Sequence, residues 1–270
     1  MKTFSIPVAA VLLVAVLAAC GRSDSADRTG SQGASSSGAV SQGTALIDGT
    51  YQAAYDSYDR NGWKPQLTLT VRGGRIVSAA YDYVDRNGQL KSRNDAYGTQ
   101  MKSVSGVSPA EAAETLNERI VELQSVPVEA VTGATTSSRH FNELASAAVA
   151  QARSGSAEPV VLPLDETYTV QAAEPDERGW RAVLSVRYED GNIASVDYDE
   201  VNAQNQKKSA DTAYAERMKA ASGVSHTEAY ERLERQLLET QNPEELDTVT
   251  GATSTSNKFI ELADRIRGMR

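Results

Sequence analysis

Residues 60–84, "RNGWKPQLTLTVRGGRIVSAAYDYV", return as residues 177–201, "ERGWRAVLSVRYEDGNIASVDYDEV", with Trp63 matched by Trp180 at an offset of 117. Two further blocks follow in the same order. "AYGTQMKSVSGVSPAEA" from Ala96 matches "AYAERMKAASGVSHTEA" from Ala213, and "VTGATTSSRHFNELA" from Val131 matches "VTGATSTSNKFIELA" from Val249. The offset grows to 118 at Thr135/Thr253, so one residue is inserted before the second TGAT. Solenoid repeats run at periods of about 20–50 residues, so a repeat this long implies two copies of one domain. We place them at 46–153 and 164–270, joined by a linker at 154–163. The joint, "ARSGSAEPVVLP" (Ala152–Pro163), is short and contains Pro and Gly, which predicts two units that lie close but hinged.

Each copy reads as the same series of elements. "LTLTV" and "VLSV" carry β-branched and apolar residues, a Gly-containing turn follows ("RGG", "EDG"), and a second strand returns ("RIVSAAYDYV", "NIASVDYDEV"). That is a hairpin, with "GTYQAAY" or "ETYTVQA" pairing beside it. Tyr97/Met101 and Tyr214/Met218 are four apart, on one face of a helix. "SPAE" (Ser108–Glu111) and "SHTE" (Ser225–Glu228) are capping boxes, and Pro109 occupies a first helical position that needs no N–H. Apolar stripes follow at Ala112, Leu116, Ile120 and Leu123, and at Leu233, Leu237 and Leu238. A last helix after each TGAT turns Phe141, Leu144 and Ala148, or Phe259, Leu262 and Ile266, inward. The expected fold is α+β: two tandem copies of a small domain with an antiparallel sheet and packed helices.

A net charge of −9 argues against a nucleic-acid partner, which needs a basic face to displace counterions. The single cysteine, Cys20, excludes an intrachain disulfide and a thiolate metal cluster. Residues 4–19 form an almost wholly apolar run behind Lys2, shorter than the roughly 20 residues of a membrane-spanning helix and suited to a secretory signal. The run ends in "LAAC" (Leu17–Cys20), which resembles the lipobox of bacterial lipoproteins. That resemblance implies removal of a 1–19 signal peptide, lipidation of Cys20 and attachment to the outer face of the cell membrane. Loss of residues 1–19 removes one Lys and leaves a net charge of −10. The Gly/Ser-rich stretch at 20–45 has too little apolar surface to offset ordering entropy and reads as a flexible tether.

Each TGAT lies just before its last helix. Gly133 and Gly251 permit a bend that other residues resist, and hydroxyls crowd the helix start at Thr135–Ser138 and Thr253–Ser256. A Gly turn with Ser/Thr capping would explain either loop alone. A helix N-terminus also welcomes a phosphate through its unpaired N–H groups and positive dipole end. The whole pattern resembles the covalent FMN-binding domain family, whose signature is Asp, two variable residues, Ser/Thr-Gly-Ala-Thr and further Ser/Thr. In that family a flavin transferase joins FMN through its phosphate to the last threonine of the signature. The second copy carries Asp247, Thr250, Gly251, Ala252 and Thr253 in full match. The first carries Thr132, Gly133, Ala134 and Thr135 but has Glu129 in place of Asp, one methylene longer. The resemblance implies covalent FMN on Thr135 and Thr253, with Thr136, Ser137, Ser254 and Thr255 as fallback acceptors.

Tyr97/Met101 and Tyr214/Met218 read either as core residues or as contacts for a flavin ring. Trp63 and Trp180 read as structural. His140 is matched by Lys258, which excludes a shared catalytic role, and His226 sits in a capping box and reads as surface. No nucleophile–His–acid set repeats and no metal-ligand cluster is visible. The resemblance therefore implies an electron carrier rather than an enzyme, passing electrons from a membrane-bound donor (a quinol or reductase) to an extracellular acceptor. The negative charge favours cationic or metal-ion acceptors. Two other readings stay open: a surface binding or signalling lipoprotein whose signal peptide is processed to a peptide pheromone, as in some relatives, and a flavin-dependent reductase.

Overall fold

The computed structural model describes residues 45–270. The 1–19 signal, the Cys20 lipidation site and all of the 20–45 tether except Ala45 lie outside the described residues. The first repeat begins with an antiparallel meander of β1 (Gly49–Tyr55), β2 (Lys64–Arg72) and β3 (Arg75–Val84). It continues through a 3-10 turn at Lys91–Arg93 to helices α1 (Asp95–Ser105), α2 (Pro109–Leu123) and α3 (Thr135–Ser154). A short strand, β4 (Val160–Leu162), then runs parallel to β1 and completes a four-stranded sheet in the order β3-β2-β1-β4. The second repeat has the three-stranded sheet β5 (Glu166–Gln171), β6 (Arg181–Glu189), β7 (Asn192–Val201). After a 3-10 turn at Lys208–Ala210 come α4 (Thr212–Ser222), α5 (His226–Thr240) and α6 (Thr253–Met269). The fold is α+β. Among the described residues no helix is long and apolar enough to cross a membrane.

Strict alternation sets the covered face of each sheet. Along β2, Pro65, Leu67, Leu69 and Val71 point inward, as do Ala182, Leu184 and Val186 along β6. Against the first sheet lie Leu116 and Ile120 of α2 and Phe141, Leu144, Ala145 and Ala148 of α3, all fully buried. Against the second lie Leu233 and Leu237 of α5 and Phe259, Leu262 and Ile266 of α6. Both capping boxes form: Ser108 N donates to the Glu111 carboxylate at 2.9 Å, and Ser225 N to that of Glu228 at 2.9 Å. The apolar stripe of α2 stops one turn earlier than the sequence suggests. Leu123 is 56% exposed, and the helix end is tied to β3 instead by the Gln124 side chain, which accepts from Ile76 N at 2.9 Å and donates to Ile76 O at 2.8 Å. The inserted residue of the second repeat is absorbed in a 3-10 turn at Pro243–Glu245.

The joint is not a free linker. Its β4 strand is hydrogen-bonded into the first sheet, Leu162 O accepts from Asp56 N at 2.8 Å, and Leu164, fully buried, belongs to the first core. Both repeats fall in one compact unit. The guanidinium of Arg270 stacks 3.6 Å from the centre of the Tyr188 ring and donates to Ser57 Oγ at 2.9 Å. Arg86 donates to the carbonyls of Gly268 and Met269 at 2.9 and 2.6 Å, and Tyr168 Oη donates to the Tyr58 carbonyl.

The two apolar cores make a direct test. Phe141→Ala and Phe259→Ala each empty a fully buried aromatic site and should each cost about 3–5 kcal/mol in urea denaturation. A loss below about 1 kcal/mol for either would contradict the assigned core.

Candidate functional site

The TGAT loops owe their shape to one serine and one glycine in each copy. Ser138 Oγ accepts from Val131 N at 2.9 Å and donates to Ala134 O at 2.9 Å, bridging the two ends of the loop. Ser256 repeats this with Val249 N and Ala252 O, both at 3.0 Å. Gly133 and Gly251 have φ of 81° and 84°, the left-handed region. A Cβ would lie 2.1 Å from Ser105 O at Gly133 and 2.5 Å from Ser222 O at Gly251. Each loop is therefore pressed against the last residue of α1 or α4, one helix back from the helix that precedes it in the chain.

This geometry leaves the helix starts uncapped. The N-cap residues are Ala134 and Ala252, which have no side-chain acceptor, and neither end has a side-chain cap bond. Ser138 and Ser256, the fourth residues of their helices, bond into the loop rather than to the first-turn N–H groups. The first N–H groups of α3 and α6 have no partner within the helix and carry the positive end of its dipole. Thr135 and Thr253 are the first helical residues, and both are exposed. Thr132 and Thr250 are exposed on the turn. Glu129 and Asp247 are also exposed, and among the described residues neither carboxylate bonds to its loop; Arg119 donates to the Glu129 carbonyl at 2.6 Å.

A cavity opens beside each helix start. The first, about 600 Å³, is lined by Gly133, Ala134 and Thr135 with Tyr97 and Met101 of α1, Tyr83 of β3, Lys91 and His140. The second, about 890 Å³, is lined by Gly251, Ala252, Ser254 and Thr255 with Tyr214 and Met218 of α4, Glu200 of β7, Lys208 and Lys258. Thr253 is flanked by lining residues without lining the cavity itself. Thr132, Thr250, Glu129 and Asp247 line neither cavity. Helices α1 and α4 bury no residue, so Tyr97 and Tyr214 are half-buried cavity walls; Met218 also touches the second core.

The two cavities share a backbone but not a charge pattern. In the first, Arg139, which can only donate, lies 3.0 Å from His140 Nε2. Nε2 must then be the acceptor, and Nδ1–H donates to Tyr83 Oη at 3.0 Å; that hydroxyl in turn donates to Ser137 Oγ at 3.3 Å. Burial, then the Arg139 charge, depresses the His140 pKa to about 4, so the ring is neutral at neutral pH. In the second cavity Glu200 takes the place of Tyr83 and Lys258 that of His140. Glu200 is fully buried and receives Lys208 Nζ at 2.6 Å and Lys258 Nζ at 3.2 Å. Lys258 also bonds Asp176 at 2.7 Å. Burial opposes the Lys258 charge, but these two carboxylates outweigh it and raise its pKa.

Sequence reading missed Lys91 and Lys208. They occupy the same repeat register, and that match was the available signal; their burial against Trp63 and Trp180 was not readable. His226 is not a surface residue. It is 1% exposed, packed between Tyr214 and Tyr230, with Nε2 at 2.8 Å from Lys208 O. Among the described residues no cluster of side chains suits a metal ion.

Two measurements test this geometry. Gly133→Ala puts a Cβ into the Ser105 carbonyl at positive φ and should cost about 2–4 kcal/mol in denaturant unfolding; an unchanged midpoint would contradict the loop packing. The unfolded chain binds a proton at His140 below its ordinary value of 6.5, whereas the native state refuses it down to about 4. Stability should therefore fall as pH drops through that window, by at most about 3 kcal/mol from this group. His140→Gln should remove that part of the slope, and parallel profiles for the two proteins would show that His140 is not held neutral.

No family model matches the chain. It is 37% identical over 119 residues to the 15 kDa lipoprotein of Treponema pallidum (strain Nichols), covering 44% of this chain and 84% of that protein. A crystal structure of the CPE2226 protein of Clostridium perfringens is 32% identical with a TM-score of 0.44, covering 44% of this chain and 99% of that one. A solution NMR structure from Clostridium thermocellum is 30% identical with a TM-score of 0.28, covering 39% and 91%. The extent of the Treponema match settles the kinship: the chain belongs to the family of the 15 kDa lipoprotein of Treponema pallidum.

Proposed function

We propose that this protein is a lipid-anchored extracytoplasmic electron carrier with two covalent FMN groups, one on Thr135 and one on Thr253. The observation that carries the reading is the duplicated pairing of an uncapped helix start, with an exposed threonine at its first position, and an aromatic-walled cavity beside it. The residues present fit such a group. First-turn N–H groups and the helix dipole favour a phosphodiester on the threonine. The cavities, about 600 and 890 Å³, are of the size that holds a planar ring system. Tyr97 with Met101, and Tyr214 with Met218, supply walls against which a ring packs.

When bound, FMN supplies reversible uptake of electrons; the chain supplies attachment, orientation and local charge. Ser138 and Ser256 hold the attachment loops rigid, and Gly133 and Gly251 fix them to α1 and α4. Covalent attachment suits a site outside the cell, where an exchanging cofactor diffuses away. The name of the Treponema relative supports lipid attachment at Cys20. The partners of this reading are a flavin transferase, a membrane-bound donor such as a quinol or reductase, and an extracellular acceptor.

Coexpression with a flavin transferase should add two FMN masses to the intact protein. Thr135→Ala and Thr253→Ala should each remove one, and the double variant both, with loss of the visible flavin spectrum. An adduct that persists in the double variant would contradict the assignment. Cys20→Ser should move the protein from the membrane fraction to the soluble one, and unchanged membrane retention would argue against the lipid anchor.

A further inference from the structure

We infer that Lys91 is the buried cation the first cavity presents to the ring system of its ligand, whereas the buried lysine of the second is neutralised by a carboxylate, so the protein's two flavins are electrostatically unlike. The cations that remain unpaired in the second cavity among the described residues, Arg178 and Arg217, are exposed and screened by solvent. The inference rests on the proposed FMN reading. Lys91 is 7% exposed, lines the first cavity, and among the described residues has no carboxylate within salt-bridge distance of its Nζ. Its ammonium is enclosed by the rings of Tyr83, Tyr97 and Trp63, at 4.4, 4.8 and 5.7 Å from their centres. The nearby acids are engaged elsewhere. Asp59 accepts from Asn61 N and Trp63 N, and Asp82 accepts from Tyr83 N, Ser92 N and Ser92 Oγ. Burial lowers the Lys91 pKa against a weaker opposing pull from those two carboxylates. A buried cation held by aromatic faces alone lacks the acceptor that normally offsets its desolvation. An electron-rich group in the cavity meets that need.

Lys208 stands at the matching place, over Trp180 and Tyr214 at 5.7 and 5.1 Å. Its charge is taken by Glu200 at 2.6 Å, and Lys258 divides its own between Asp176 and Glu200. Within the buried wall the difference traces to Tyr83 against Glu200 and His140 against Lys258; at the exposed rim Arg60, Asn61 and Gln100 are matched by Glu177, Arg178 and Arg217. Two electrons and one proton, delivered from dithionite and buffer, turn an oxidised flavin into a reduced ring with one negative charge. A cation beside that ring favours the reduced form, whereas one already neutralised by a carboxylate does so less. The flavin on Thr135 is then the easier of the two to reduce, and electrons settle in the first repeat.

The experiment uses full-length protein loaded by a flavin transferase, with each adduct confirmed by intact mass. Thr253→Ala isolates the first flavin and Thr135→Ala the second. Each is titrated with dithionite against a reference dye while the visible spectrum is followed. The first flavin should be reduced at the higher potential. Lys91→Gln in the first-site protein should lower its reduction equilibrium by roughly tenfold or more, and Lys91→Arg should retain most of it. Glu200→Gln in the second-site protein should move that flavin toward the first. Equal potentials in the two single-site proteins, or a loaded Lys91→Gln protein with no shift, overturn the inference and leave the FMN assignment standing. Absence of any adduct instead overturns the FMN assignment, and the inference falls with it. If Lys91→Gln does not fold, the two single-site potentials and Glu200→Gln still decide.

Discussion

The loop-bridging serine, Ser138 in one repeat and Ser256 in the other, is the contact from which the site follows. Its hydroxyl accepts from one end of the TGAT loop and donates to the other, so it is consumed within the loop. The helix start is capped by an alanine, which has no side-chain acceptor for its N–H groups. The glycine of the same loop lies against the carbonyl that ends α1 or α4, where a side chain has no room. That contact brings Tyr97 and Met101, or Tyr214 and Met218, beside the first turn. A loop built only to cap a helix would have placed a hydroxyl where the alanine stands. The open helix end follows from alanine at the N-cap, while the serine four residues on closes the loop.

Duplication preserved this frame and changed what lines it. The backbone pattern of meander, 3-10 turn, short helix, capped helix and final helix is repeated element for element. Inside the cavities, a neutral Tyr–His pair in one copy faces a Glu–Lys network in the other. The two cavities thus share a backbone frame and differ in size and electrostatics. The repeats are also held together, by β4 in the first sheet, by Arg270 bonded to Ser57 and by Arg86 bonded to the Gly268 and Met269 carbonyls, so the frame does not depend on a loose tether between them.

Much of the frame was legible in the sequence because it rests on local rules. The hairpins, both capping boxes and the inward stripes of the last helices follow from turn chemistry, Ser-x-x-Glu spacing and helical period. The bend at Gly133 and Gly251 was legible for the same reason. What escaped depends on contacts distant in sequence. Lys91 and Lys208 look like surface lysines until the rings of Trp63 or Trp180 fold over them. His226 lies in a polar capping box yet is buried, because α4 sets Tyr214 above it. The joint looked like a linker, but Val160–Leu162 found an open edge on β1, a pairing across more than a hundred residues. Tyr97 and Met101 kept two readings, since helical spacing alone does not tell a core wall from a cavity wall.

On the proposed FMN reading, the phosphate of a bound flavin would sit on the open starts of α3 and α6, with its ring in the adjoining cavity. A crystal structure of the flavin-loaded protein tests this most directly. Phosphodiesters are expected on Thr135 and Thr253, accepting from first-turn N–H groups, with the rings against Tyr97/Met101 and Tyr214/Met218. Flavin attached elsewhere, or rings lying outside these cavities, would contradict it.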